Sequence, residues 1–252
     1  MQNAELRMQS YNAELRMQSY NAECQRSCCI AMIWITGDTH GDLSEFKKRD
    51  KKKLGKGDTL IICGDFGFVW DGSQKEQRAL EWFAKRKYTV LFTEGCHEGY
   101  DLLEQYPIVE WSGGLVRRIN DNLFQLMRGE IYDIDGKKVF AFGGGEVDEK
   151  EYLDALPDLY QKSQPSNQEI QNGIDNLAKI GNKVDLIVTH DVPTRLKGFI
   201  NIEDNRYSAI HVALEEFNKF CDFKLWYFGK YHSDKFIPPY YHGVFTKVNM
   251  VV

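Results

Sequence analysis

The sequence predicts one α/β domain with a mixed sheet, preceded by a short tail. Three observations carry this. Five short apolar, β-rich runs alternate with stretches of helical periodicity, three more strand-like segments fall in mid-chain around a turn dipeptide, and no Pro- or Gly-rich linker divides the chain after residue 32. A chain of 252 residues fits one large domain or two small ones, and the missing linker favours one.

The apolar runs are Ile33–Thr36, Thr59–Cys63, Thr89–Thr93, Asp185–Thr189 and Lys224–Phe228. Between the second and third, Ser73–Lys87 carries Ala79, Leu80, Trp82, Phe83 and Ala84, a helix with one buried side. In the middle of the chain, Leu123–Met127, Glu130–Ile134 and Lys138–Phe142 read as hairpin strands, with Asp135-Gly136 as a turn. Ser166–Ile180 reads as a further helix, and Arg206–Phe220 as another, with Ile210, Ala213, Leu214 and Phe217 at helical spacing.

The tail holds a duplication. Asn3–Tyr11 reads NAELRMQSY, Asn12–Tyr20 repeats it, and Asn21-Ala22-Glu23 begins a third copy. A nine-residue period rotates a helix by two and a half turns and flips a strand, so neither structure gains a continuous apolar stripe. Residues 1–31 are therefore expected to lie outside the fold, as a duplication that adds little or as an interaction tail, with the domain over 32–252.

Composition excludes several classes. Lys and Arg number 32 against 37 Asp and Glu, a formal charge of −5, which does not advertise a nucleic-acid groove; a local basic patch stays open. No apolar run approaches the roughly 18 residues of a membrane span. The six cysteines are sparse and the polar start is no secretory leader, so reduced thiols and a cytoplasmic location are expected. Cys24, Cys28 and Cys29 fit no standard zinc spacing. Oligomeric state is not legible.

The informative pattern lies at the end of each apolar run. After the five runs, in order, come Gly37-Asp38-Thr39-His40-Gly41, Gly64-Asp65-Phe66-Gly67, Gly95-Cys96-His97-Glu98, His190-Asp191 and Gly229-Lys230-Tyr231-His232. In open α/β sheets the carboxyl ends of strands are where ligands converge. Four of the six histidines occupy these positions. Carboxylates and imidazoles without a thiolate cage suit Zn, Mn or Fe, and an Asp at a strand end can bridge two ions.

The ordered set D-x-H, G-D, G-N-H-E, a lone His and G-H-x-H resembles the signature of calcineurin-like metallophosphoesterases, and this chain matches its order from Asp38 to His232. The resemblance implies a sandwich of two mixed β-sheets flanked by helices. It also implies hydrolysis of a phosphate mono- or diester through metal-activated water, on a small molecule or a phosphorylated substrate. By position, Asp38, His40, Asp65 and His232 would hold the first divalent metal, and Asp65 would bridge to a second that His190 also ligates. His97 would protonate the leaving oxygen or stabilise the transition state.

Two positions depart from the family pattern: Cys96 replaces the Asn of G-N-H-E, and Lys230 the first His of G-H-x-H. Both would serve the second metal. Three outcomes are open: one ion, with Lys230 holding phosphate as a fixed charge; a weak second ion on Cys96 and His190; or a binding or regulatory module without chemistry.

Other features have plainer readings. His211 is a partly buried structural histidine, His242 a loop residue near the site, and Gly143-Gly144-Gly145 a tight turn beside it. Lys47–Lys53 is a solvated helix face, Trp70, Trp111, Trp226 and Tyr227 are core aromatics, and Cys63 is inert core.

Overall fold

Strands that read as uninterrupted apolar runs need cover on both faces. The computed structural model describes residues 31–50, 54–147, 157–200 and 207–251, and there two mixed sheets lie face to face with helices outside. In the first sheet β1 (Ile33–Thr36), β2 (Thr59–Cys63), β3 (Thr89–Thr93) and β6 (Leu123–Leu126) run parallel. Beyond β6 lie antiparallel β5 (Gly114–Arg118) and β4 (Ile108–Trp111), and β13 (Asn249–Met250) closes the other edge. In the second sheet β8 (Lys137–Phe142), β9 (Lys183–Thr189), β10 (Asp222–Phe228) and β12 (Tyr241–Gly243) run parallel, with β7 (Glu130–Ile134) and β11 (Lys235–Ile237) antiparallel at its edges.

The period-2 geometry of a strand divides each run between two cores. Ile33, Ile35, Ile61, Cys63 and Leu91 face the second sheet, where Val139, Ala141, Leu186 and Val188 meet them. Trp34, Leu60, Ile62, Val90 and Phe92 face outward onto Phe46 of α1 (Leu43–Asp50) and Ala79 and Phe83 of α2 (Gln74–Ala84). On the far side Phe140, Phe142, Ile187 and Trp226 pack on Leu177 of α5 (Asn167–Lys179) and on Ile210, Leu214 and Phe217 of α7 (Ala209–Phe220). Short helices α3 (Tyr100–Leu103), α4 (Pro157–Ser163) and α6 (Thr194–Ile200) serve as connections.

The helix starts are set by capping. Ser73 accepts from the Glu76 N–H, and Ser166 with Glu169 forms a capping box, so these serines stand just outside α2 and α5. Asp135-Gly136 takes positive φ at both residues (50° and 75°) and joins Ile134 to Lys137 as a two-residue hairpin.

Periodicity alone predicts a single mixed sheet, and here the structure corrects it. Leu123–Leu126 and Glu130–Ile134 are not hairpin partners: the first pairs with β3 in one sheet, the second with β8 in the other. All four residues of β6 are buried, which suits an inner parallel strand, and the chain crosses between sheets at Met127–Gly129. The β4–β5 hairpin around Ser112-Gly113 is a further element that the sequence reading passes over. The repeat tail, Cys24, Cys28, Cys29, Lys51–Lys53 and Arg206 lie outside the described residues.

Candidate metal centre

The loops after β1, β2, β3, β9 and β10 meet where the carboxyl edges of the two sheets lie side by side. Backbone bonds join the first two: Thr39 and His40 donate to the Asp65 carbonyl at 3.0 and 2.9 Å, and Gly41 donates to Phe66 at 3.1 Å. Glu98, itself buried, accepts from the Phe66 N–H (2.7 Å) and the Gly67 N–H (3.2 Å) and so ties the β3 loop to the β2 loop. Burial, together with Asp65, pushes the Glu98 carboxyl well above its ordinary range, against these backbone donors. Arg49 of α1 donates to the Gly37 and Asp38 carbonyls at 3.2 and 3.0 Å, fixing the first loop from behind.

Strain gathers at the same place. Seven non-glycine residues among those described have left-handed backbone, and four are His40, Asp65, Lys230 and His232, with φ between 44° and 63°. Each such conformation costs on the order of 1–3 kcal/mol and persists only where its surroundings fix it. Gly229 shows how tight those surroundings are: a Cβ there would stand 2.2 Å from the Cys63 carbonyl oxygen and 2.3 Å from Asp38 Oδ1.

The side chains form overlapping groups. Asp38, His40 and His232 converge first: His232 Nε2 is 3.1 Å from Asp38 Oδ2 and 2.9 Å from His40 Nε2, and His40 Nε2 is 3.9 Å from Asp38 Oδ2. Asp65, Cys96 and His190 converge second, with His190 Nε2 3.4 Å from Asp65 Oδ1 and 3.6 Å from the Cys96 sulfur. Asp65 stands between, its Oδ2 3.9 Å from His40 Nδ1. His97 directs Nδ1 to Asp65 Oδ2 at 2.9 Å and its backbone N–H to Oδ1 at 2.8 Å, so it also forms a group with His40 and Asp65. All the residues singled out from the motifs therefore meet here, including Cys96 and Lys230.

Protonation is set by the neighbours. Burial works against ionisation of Asp65, but His190 and the hydrogen bonds from His97 outweigh it and hold the carboxyl well below the usual range. His190 Nδ1 lies 3.1 Å from the Cys63 carbonyl, which can only accept, so Nδ1 is the donor there and Nε2 is the ring nitrogen turned to Asp65 and Cys96. Burial lowers the His40 pKa, while the Asp38 carboxylate raises that of His232.

These donors fit a divalent ion. Asp38 Oδ2 is buried with no hydrogen-bond partner among the described residues, and two imidazole nitrogens crowd it and each other. A buried carboxylate oxygen without a hydrogen bond is costly, and a cation among these atoms removes that cost.

At the second group a side-chain cation is already present. The Lys230 ammonium donates to the Glu146 carbonyl and lies 3.9 Å from the Cys96 sulfur, while the Lys230 N–H donates to Asp38 Oδ1 at 3.1 Å. Burial and Asp65 push the Cys96 thiol well up, against the pull of Lys230.

The site also rests on residues to which the motifs assign no ligand role. Asp191 lies 3.2 Å from His211 Nε2 and accepts from the Tyr231 hydroxyl at 2.9 Å. His211 is thus fully buried rather than partly so, its Nδ1 accepting from the Ser208 N–H at 3.1 Å. Behind the β3 loop, Glu94 and Arg128 form a buried ion pair at 2.6 Å. Glu98 holds the last place of the G-N-H-E element, whereas the sequence signal for Glu94 is only its place before Gly95. The glycine run 143–145 packs close: a Cβ at Gly143 would meet Glu94 and one at Gly145 the His190 ring. His242 sits in β12 against Tyr227 and Phe236, with ring centroids 5.0 and 4.7 Å away. Trp226, Tyr227 and Cys63 are core, whereas Trp70 lines a cleft beside His40 and His97.

Fold and site together define a two-sheet α/β sandwich with a candidate metal centre at the strand ends. The calcineurin-like phosphoesterase family model matches residues 31–234, and the chain belongs to that family. No curated protein matches the chain. Among the described residues no helix is long and apolar enough to cross a membrane.

Proposed function

We propose that the protein is a metal-dependent phosphoesterase with one complete ion site, acting on a phosphate mono- or diester. Asp38, His40, His232 and Asp65 would hold the ion, with Mn, Fe and Zn the candidates by donor type. When bound, the ion supplies Lewis acidity, neutralising phosphoryl charge and making a water acidic enough to ionise near neutral pH. The carrying observation is the Asp38 carboxylate oxygen, buried without a hydrogen bond of regular geometry and crowded by the His232 and His40 nitrogens at 3.1 and 3.9 Å.

The chain's own groups have complementary tasks. Asp65 accepts two hydrogen bonds from His97 and so fixes the ring. With Nδ1 directed at Asp65, Nε2 is the His97 atom that would pass a proton to the leaving oxygen. Lys230 is the fixed positive charge that would pair with an equatorial phosphoryl oxygen. Cys96, which adjoins His190, stands beside that ammonium, and the ammonium opposes a second divalent cation there.

Replacing Asp65 by Asn tests the assignment. Elemental analysis and hydrolysis of aryl mono- and diesters with added manganese should show both metal content and turnover lost; unchanged activity refutes the site. The Lys230–Cys96 contact also favours a second reading, a binding or regulatory module without chemistry. Metal bound by the parent protein, with no turnover of either ester, would support that reading instead.

A further inference from the structure

His40, His97 and His232 stand at one end of a cleft of about 1140 Å³ that runs between the start of α1 and the segment from Gly67 into α2. Lys47, Lys75 and Arg78 line it, and so do Asp42, Asp71 and Glu76. The formal charges balance, but the two sets are used differently.

Each acid is turned to the local backbone. Asp42 accepts from the Ser44 and Glu45 N–H groups at 2.9 and 3.0 Å, and Asp71 accepts from Ser73 N–H at 2.8 Å. Glu76 accepts from the N–H groups of Trp70, Asp71 and Gly72 at 2.8, 3.0 and 2.8 Å. These carboxylates cap α1 and shape the turn into α2: both oxygens of Glu76 are engaged in that work, and Oδ1 of Asp42 and of Asp71.

The cations are not so occupied. Lys47 lies over the Trp82 ring at 5.3 Å, whereas Lys75 and Arg78 are exposed and have no acidic partner among the described residues. Among the described residues neither charge is used in an ion pair, and both residues border the cleft that His40, His97 and His232 also line.

We infer that this cleft binds a second anionic group of the substrate, so that the preferred substrate carries two phosphates, one at the ion site and one held by Lys75 and Arg78. The inference rests on the phosphoesterase reading for its first phosphate, and it adds a substrate class: bisphosphorylated or polyphosphorylated molecules over simple monoesters. Arg78 would provide the planar two-donor grip that guanidinium makes on phosphate, and Lys75 a mobile point charge.

The test compares α,ω-alkanediol bisphosphates of increasing chain length with the matching monophosphates, binding to the full chain by titration calorimetry. At the best length the bisphosphate should bind about tenfold tighter or more, and that ratio should fall to about threefold or less in the Lys75→Gln/Arg78→Gln double variant. Raising the salt should shrink the ratio in the parent protein, because the two cations are exposed. Equal affinity for the two ligands in the parent, no measurable binding of either, or a ratio that survives the double substitution would each overturn the inference. Turnover is read separately: a preserved binding ratio without hydrolysis of any ester would sink the phosphoesterase reading and leave the cleft assignment standing.

Discussion

The Lys230 ammonium lies 3.9 Å from the Cys96 sulfur, and the two residues come from loops on different sheets. Cys96 sits beside His190 and Asp65, so the two departures from the family pattern face each other at the edge of that group. Reverting them together, Cys96→Asn with Lys230→His, removes the cation and supplies two neutral donors. The expected result is a rise in bound manganese from one ion per chain towards two, read by elemental analysis after dialysis. A double variant that holds no more metal than the parent would show that these positions do not decide the stoichiometry.

Gly229 offers a test of how tightly the first group is built. A methyl at this position meets the Cys63 carbonyl at 2.2 Å and Asp38 Oδ1 at 2.3 Å, so either the strand end or the carboxylate has to move. Gly229→Ala should lower manganese affinity by about tenfold or more, the size of effect seen when the support of a ligand is disturbed. Overpacking should also destabilise the fold by about 1–3 kcal/mol. Wild-type affinity in a folded variant would mean that Asp38 is not held where the ion needs it.

Legibility in the sequence tracks how local each signal is. The apolar runs declared β1, β2, β3, β9 and β10 because strands covered on both faces have no polar alternation, and their ends carried the D-x-H and G-D motifs directly. The partition into two sheets was not legible: Leu123–Leu126 and Glu130–Ile134 are neighbours in sequence, yet pair with β3 and β8. Register depends on contacts far along the chain, and only the family resemblance implied the second sheet. The charged groups behind the site were hidden for a similar reason. Glu94 and Arg128 are 34 positions apart and neither lies in a recognisable spacing, so nothing local marked them as a buried pair. Trp70 read as core because an aromatic side chain gives no sign of which cavity it borders.

That buried pair should be costly to break. Arg128 spans the β3 loop and the α4–α5 junction, donating to the Lys162 and Gln164 carbonyls at 2.8 and 3.0 Å besides meeting Glu94. Arg128→Ala strands the Glu94 charge with Gln125, at 3.0 Å, as its remaining side-chain partner among the described residues, and should destabilise the protein by about 3–5 kcal/mol. Urea denaturation measures this. Adding Glu94→Gln should recover part of the loss, since the stranded charge is then gone; no recovery would place the cost in lost packing.

Alkaline pH probes the packing between the sheets. Burial raises the Tyr227 phenol from its ordinary value of 10.0 to about 12, with the nearby Cys63 adding to the effect. In the unfolded chain the phenol loses its proton near the ordinary value, while in the folded protein it keeps the proton until about pH 12. Between these two values the native state binds more protons than the unfolded state, so stability falls as pH rises. The full shift corresponds to about 2–3 kcal/mol, present below the unfolded value and lost across that interval. Tyr227→Phe removes the ionisable group from both states while keeping the ring that packs between the sheets. Urea midpoints for the variant should therefore decline less steeply than those of the parent over the same interval, and parallel declines would show that the phenol ionises equally well in both states.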